Sequence, residues 1–125
     1  MATKNNQIYV CQVCGNAVEV VRESGGTLSC CNQPMELQEE KTAEFAIEKH
    51  VPVVTKVDGG VKVRVGSTDH PMTAEHLIEW IQVFVDGGSY RKWLSPGGEP
   101  EVFFPVSGDD IVAREFCNLH GLWRN

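Results

Sequence analysis

Four of the five cysteines fall within 21 residues, as Cys11-x2-Cys14 followed by the adjacent pair Cys30-Cys31. This cluster limits the fold more than any other feature of the chain. The residues around it, 1–38, carry few apolar side chains, chiefly scattered valines such as Val10, Val13, Val18 and Val20. A unit of fewer than about 40 residues seldom holds itself together without a metal, disulfides or a partner subunit. Five cysteines is an odd number, and a reducing compartment favours metal or redox roles over a disulfide framework.

Cys11-x2-Cys14-Gly15 has the form of a metal knuckle. Two intervening residues let both thiolates reach one ion, and the glycine relieves crowding where the backbone turns back. The usual complement would be a second C-x2-C, but here nothing separates Cys30 from Cys31. Adjacent side chains diverge along an extended chain, so binding one ion with both requires a local twist. The spacing predicts a distorted tetrahedral four-sulfur site. Zinc and iron both suit four thiolates, so a structural zinc clip and a redox iron clip stay open. A vicinal disulfide would strand the knuckle without a partner.

The rest of the chain reads differently. Residues 39–49 are polar and suit a linker with a short helical turn. From His50 onward VPVVTKVD, GVKVRVG, HLIEWIQVFVDG, SYRKWLS, EVFFPV and DIVAREFC follow one another, separated by glycine-rich turns. In the second, Val61, Val63 and Val65 face one way and Lys62 and Arg64 the other. About six or seven short strands at regular spacing predict an antiparallel β-sandwich. The predicted division is therefore 1–38 and 39–125. With 42% hydrophobic residues in the whole chain, a true core is possible. A net charge of −6 argues against nucleic acid as the main partner. No apolar run approaches the roughly 18 residues of a membrane span, and the first residues, MATKNNQIYV, hold no hydrophobic signal region. The expectation is a cytoplasmic protein with no membrane partner.

All four histidines, His50, His70, His76 and His120, lie in this second part, and His120 follows the fifth cysteine as Cys117-x2-His120. Pro71 forces His70 into an extended conformation. Each histidine sits at a strand edge or loop, where ligands can converge at one end of a sandwich. The pattern suits one metal held by up to four imidazoles and one thiolate, with one octahedral position left open. Imidazole with a single thiolate narrows the metal to iron or copper, with zinc behind. No methionine follows Cys117 to serve as a weak axial ligand, which demotes copper. Beside His50 stand Glu48 and Lys49. Lys49 offers a local positive charge against the global −6, and Glu48 is able to swing in as a sixth ligand.

The strings C-x2-C-G…CC, EKHVPV, HPM…EH…IEW and AREFCNLHG together resemble desulfoferrodoxin, the two-iron class of superoxide reductase, over nearly the whole chain. The resemblance implies a mainly β protein: a small desulforedoxin-like module at 1–38, then an immunoglobulin-like antiparallel β-sandwich at 39–125. It implies two irons per chain. The first, Fe(Cys)4, would be held by Cys11, Cys14, Cys30 and Cys31. The second, Fe(His)4Cys, would be held by His50, His70, His76, His120 and Cys117. Glu48 and Lys49 fall on the family's functional glutamate and lysine. Backbone N–H groups of Asn118 and Leu119 are expected on the Cys117 sulfur.

By the same resemblance the activity is one-electron reduction of superoxide to hydrogen peroxide at a ferrous iron with an open sixth position. Lys49 would steer the anion and Glu48 would bind the ferric ion after product leaves. A small electron carrier such as a rubredoxin would resupply the electron, and the protein would be a homodimer. Two other classes are consistent with the residues alone: an iron electron-transfer protein without a substrate, and a zinc-stabilised binding module. Metal content and a visible spectrum distinguish them, since zinc leaves no visible band.

Overall fold

The computed structural model describes residues 2–42, 50–66 and 72–125. The polar run's proposed helical turn, Glu48, Lys49 and His70 lie outside the described residues. The chain forms two compact units, Met1–Gln38 and Glu39–Asn125. All regular structure among the described residues is β, in twelve strands.

In the first unit β1 (Ile8–Val10) lies between β2 (Ala17–Glu19) and β5 (Glu36–Gln38), both antiparallel to it. A two-stranded hairpin, β3 (Ser29–Cys30) with β4 (Gln33–Pro34), carries the second cysteine pair. Only Ile8, Cys11 and Val20 are buried among its described hydrophobic side chains. Fully burying a large aliphatic side chain stabilises by about 1.5–3 kcal/mol. Two of them cannot offset the ordering of nearly 40 residues at about 1–2 kcal/mol each, so this unit needs a cross-link from elsewhere.

The second unit is a sandwich of two antiparallel sheets. One has the order β10-β7-β6, with β6 Pro52–Val57, β7 Gly60–Val65 and β10 Glu101–Phe104. The other has the order β12-β11-β8-β9, with β8 Ile78–Val85, β9 Gly88–Trp93, β11 Val112–Cys117 and β12 Gly121–Arg124. The alternation seen in GVKVRVG is realised: Val61, Val63 and Val65 are buried together with Ile81, Val83, Phe104 and Ala113 in one core. The β6–β7 hairpin closes at Asp58-Gly59, with Gly59 at φ +81°. Gly60 opens β7 where a Cβ would run into the Phe104 carbonyl, which explains the second glycine of the turn.

β12 is the strand that no separate string announced. It is four residues long and pairs with β11 from Arg114↔Arg124 to Cys117↔Gly121. Its pairing folds residues 118–120 into a tight turn at the end of the sandwich, directly after Cys117. A register shift between Phe116 and Cys117 on β8 re-aims the cysteine at that same end.

Candidate metal centres

At the first centre the sulfurs of Cys11, Cys14, Cys30 and Cys31 all lie within 4.8 Å of one another. Cys14 Sγ is 3.6 Å from Cys30 Sγ, and Cys30 Sγ is 3.9 Å from Cys31 Sγ. A tetrahedron of thiolates at metal–sulfur distances of about 2.3 Å has edges of about 3.8 Å, so the spacing fits one ion. None of the four is in a disulfide. The twist required to turn two adjacent cysteines inward is present: Cys31 and Asn32 adopt φ of +53° and +62°.

The knuckle also supplies donors. The N–H groups of Val13 and Cys14 donate to Cys11 Sγ at 3.4 Å each, and that of Asn16 donates to Cys14 Sγ at 3.5 Å. The Cys14 and Val13 N–H groups lower the Cys11 pKa to about 6, so it is a thiolate at neutral pH. Crowding by the Cys14 and Cys30 sulfurs pushes Cys31 in the other direction, to about 12. Four sulfurs this close share protons unless a cation replaces them, which is the chemistry of a metal site.

At the second centre the ligand atoms of His50, Cys117 and His120 lie within 4.8 Å of one another. His50 is buried just before β6, Cys117 is buried at the end of β11, and His120 is exposed in the β11–β12 turn. The His50 and His120 rings are 4.6 Å apart, edge to face at 66°. The His76 ring stands 4.9 Å from that of His120 at 71°. Three imidazoles and a thiolate therefore converge, drawn from three separate segments of the chain. Neutral imidazole and thiolate are a donor set suited to iron, copper or zinc.

Burial pushes the Cys117 thiol up, and the N–H groups of Leu119 and His120 oppose this. Of the expected pair, Leu119 is retained and Asn118 is replaced by His120. The Asn118 N–H is turned away and donates to the Leu77 carbonyl at 3.1 Å. The tight turn presents its second and third N–H groups, and not its first, to the sulfur.

Several residues that support the centre carry no metal-binding signature and were invisible to pattern reading. Trp123 stacks on His50 at 4.9 Å and 15°, and its Nε1–H donates to the His120 carbonyl at 3.1 Å. Lys41 Nζ donates to the same carbonyl at 2.8 Å. Thr73 Oγ1 accepts the His76 N–H at 3.1 Å. Asn118 bonds through its side chain to the Leu77 N–H and the Glu75 carbonyl, at 2.9 and 3.1 Å. Glu115, fully buried on the core face of β11, places a carboxylate oxygen 3.8 Å from His50 Nδ1. Burial raises its pKa well above the usual carboxylate range, and the charge of Lys41 acts against that rise. Among the described residues no helix is long and apolar enough to cross a membrane.

Comparison with known proteins agrees with this architecture. Residues 42–125 match the desulfoferrodoxin family, and residues 3–38 match the desulfoferrodoxin N-terminal domain. The chain is 53% identical over 118 residues to the desulfoferrodoxin of Nitratidesulfovibrio vulgaris, covering 94% of each. It is 51% identical over 123 residues to a desulfoferrodoxin homolog of Archaeoglobus fulgidus, covering 98% of each. The crystal structure of the superoxide reductase from Treponema pallidum superposes with a TM-score of 0.77 at 34% identity, over 95% of this chain and 96% of that one. With both units matched and half the residues shared along nearly the full length, the chain belongs to the desulfoferrodoxin family.

Proposed function

We propose that the protein is a superoxide reductase that converts superoxide, one electron and two protons into hydrogen peroxide. The observation that carries this reading is the convergence of His50, His120 and Cys117 within 4.8 Å at the open end of a sandwich, with His76 alongside. In this reading Cys11, Cys14, Cys30 and Cys31 hold one iron in the first unit. His50, His70, His76, His120 and Cys117 hold the second in the sandwich. When bound there, ferrous iron supplies the electron that superoxide takes up.

The chain's own residues do the rest. Cys117 is buried, which pushes its thiol up while the Leu119 and His120 N–H groups act against that rise, and it would supply the one sulfur donor. The Trp123 stack holds the His50 ring in plane, and the His120 turn is pinned by two donors on one carbonyl. Lys49 contributes positive charge that draws an anion toward a chain of net charge −6. Glu48 would offer the second iron a carboxylate donor in addition to the imidazoles and the thiolate.

A small electron carrier such as a rubredoxin would restore the ferrous state. A homodimer is supported by an apolar row across the first sheet. Val18, Tyr9 and Leu37 are cross-strand neighbours on one face, and Val18 and Leu37 are 40% and 41% exposed. A second copy covering this row would add the apolar burial that the unit lacks. Thiolate metal centres suit a reducing cytoplasm.

The test is metal analysis and a visible spectrum of the purified protein, followed by mixing its ferrous form with superoxide generated by pulse radiolysis. The expected result is two irons per chain and fast oxidation of the second centre with one peroxide formed per superoxide. A colourless zinc protein, or an iron protein indifferent to superoxide, overturns the reading. Replacing Val18 and Leu37 by Asp tests the dimer by sedimentation.

A further inference from the structure

Lys41 lies in the polar run after the first unit, where nothing in the local sequence distinguishes it from a solvated linker lysine. In the structure it is held at the second centre. Its backbone extends the sheet beyond β12: the Lys41 N–H donates to the Leu122 carbonyl at 2.9 Å, and the Arg124 N–H donates to the Lys41 carbonyl at 2.8 Å. This parallel bridge to Trp123 fixes where the side chain starts. The ammonium then donates to the His120 carbonyl at 2.8 Å and lies 5.2 Å from the centroid of the Trp123 ring. Trp123 donates to that same carbonyl and stacks on His50. One cation thus bears on two candidate ligands, on His120 through its carbonyl and on His50 through the indole.

We propose that Lys41 is a positioning residue of the second centre that also gives it a fixed positive charge, raising its reduction potential and drawing superoxide toward it. The proposal rests on the reading of this centre as a superoxide reductase site. Lys41 itself neither gives a proton nor touches the reacting atoms. The electron and both protons of the reaction come from elsewhere, and the ammonium acts by position and field.

Three observations bear on the charge. First, the chain is −6 overall, so a cation fixed beside the ligands sets the local sign against the distant field. Second, the ammonium lies 5.2 Å from the centroid of the Trp123 ring that stacks on His50, so part of its path to that ligand runs through protein. Interactions that pass through protein are weakened less than those through water. Third, the ammonium is held by a hydrogen bond and a ring contact, so its charge has a defined position. A nearby cation disfavours the more positive, oxidised form of a metal centre, so removing it lowers the potential.

The experiment compares Lys41→Met and Lys41→Arg in the two-iron protein. The readouts are the midpoint potential of each centre by optical titration and the superoxide rate across ionic strength. Lys41→Met is expected to keep both metals, because Trp123 still bonds the His120 carbonyl. Its second centre should shift to lower potential while the first stays put. Its superoxide rate should fall at the low end of the roughly 10–10³-fold range for lost steering, with a flatter salt dependence. Lys41→Arg should restore both. A purely structural lysine would change thermal stability but neither the potential nor the salt slope, and that outcome overturns the proposal. Should Lys41→Met lose its second metal, Lys41→Gln, which keeps a donor without the charge, replaces it in the same comparison. A parent protein that ignores superoxide would overturn the functional reading, while the potential shift would still decide the role of the charge.

Discussion

Asn118 and Leu77 are joined twice: Asn118 Oδ1 accepts the Leu77 N–H at 2.9 Å, and the Asn118 N–H donates to the Leu77 carbonyl at 3.1 Å. A third bond runs from Asn118 Nδ2 to the Glu75 carbonyl at 3.1 Å. The turn that follows Cys117 is thereby clamped to the loop that carries His76.

Asn118→Ala removes both side-chain bonds of that clamp and leaves the backbone bond. Exposed hydrogen bonds of this kind contribute about 0.5–1.5 kcal/mol each, so the fold should survive. The looser His76 loop should weaken the second metal's hold by about 10–100-fold, the usual cost of losing a group that orients a ligand. Competition against a chelator measures this for each centre separately. Equal resistance at the second centre in parent and variant would show that the clamp does not serve His76.

Cys14→Ser should release or loosen the metal of the first centre. It should also unfold that unit, because Ile8 and Val20 are the only aliphatic side chains buried there among the described residues. Proton resonances of 1–38 should collapse toward random-coil positions while those of the sandwich stay dispersed. Superoxide reduction should persist, since the second centre has its own ligands. Loss of that reaction with the second iron still bound would mean that the two centres do not have separate roles.

The four-sulfur centre was legible because its ligands come as two local pairs, and the strands because buried valines alternate with charges at Val61, Lys62, Val63, Arg64 and Val65. The twist at Cys31 followed from the chemistry of adjacent side chains. What surrounds the second centre was not legible, for a physical reason. Lys41 meets His120, and Asn118 meets Leu77, across 79 and 41 residues of chain. No local period records such a meeting. Gly121–Arg124 is too short to show alternation, so β12 leaves no mark in the sequence, yet its pairing sets the turn that follows Cys117.

Lys49→Ala tests steering by a charge proposed from the sequence alone. Both metals and both spectra should be retained, since a lysine is no ligand here. The superoxide rate should drop within the roughly 10–10³-fold range for lost steering. The parent should slow as salt rises, because an exposed charge is screened over roughly 10 Å at 0.1 M. Pulse radiolysis of the ferrous protein at several ionic strengths reads both effects. An unchanged rate with an unchanged salt slope would make Lys49 a solvated surface residue.

Cys117→Ser removes the single sulfur from the second centre and replaces it with a weaker, neutral donor. Cys117 is fully buried, and its thiol is held up by burial. In the proposed reading a bound iron would keep it as the thiolate. Two consequences follow. The thiolate-to-iron absorption of the oxidised protein should vanish, because no other cysteine lies among the atoms that converge there. Acid release of metal from the second centre should lose the step that comes from protonating the thiolate, so a titration toward low pH should differ from the parent in shape as well as midpoint. The serine hydroxyl fits the same space, and Ala113, Ile78 and Ile81 keep the adjoining core packed, so the sandwich should remain folded by circular dichroism. Superoxide reduction should be severely impaired while the first centre keeps its colour. If the second centre of Cys117→Ser kept its sulfur absorption, another cysteine would have to be its ligand, and the division of the five sulfurs into four and one would be wrong.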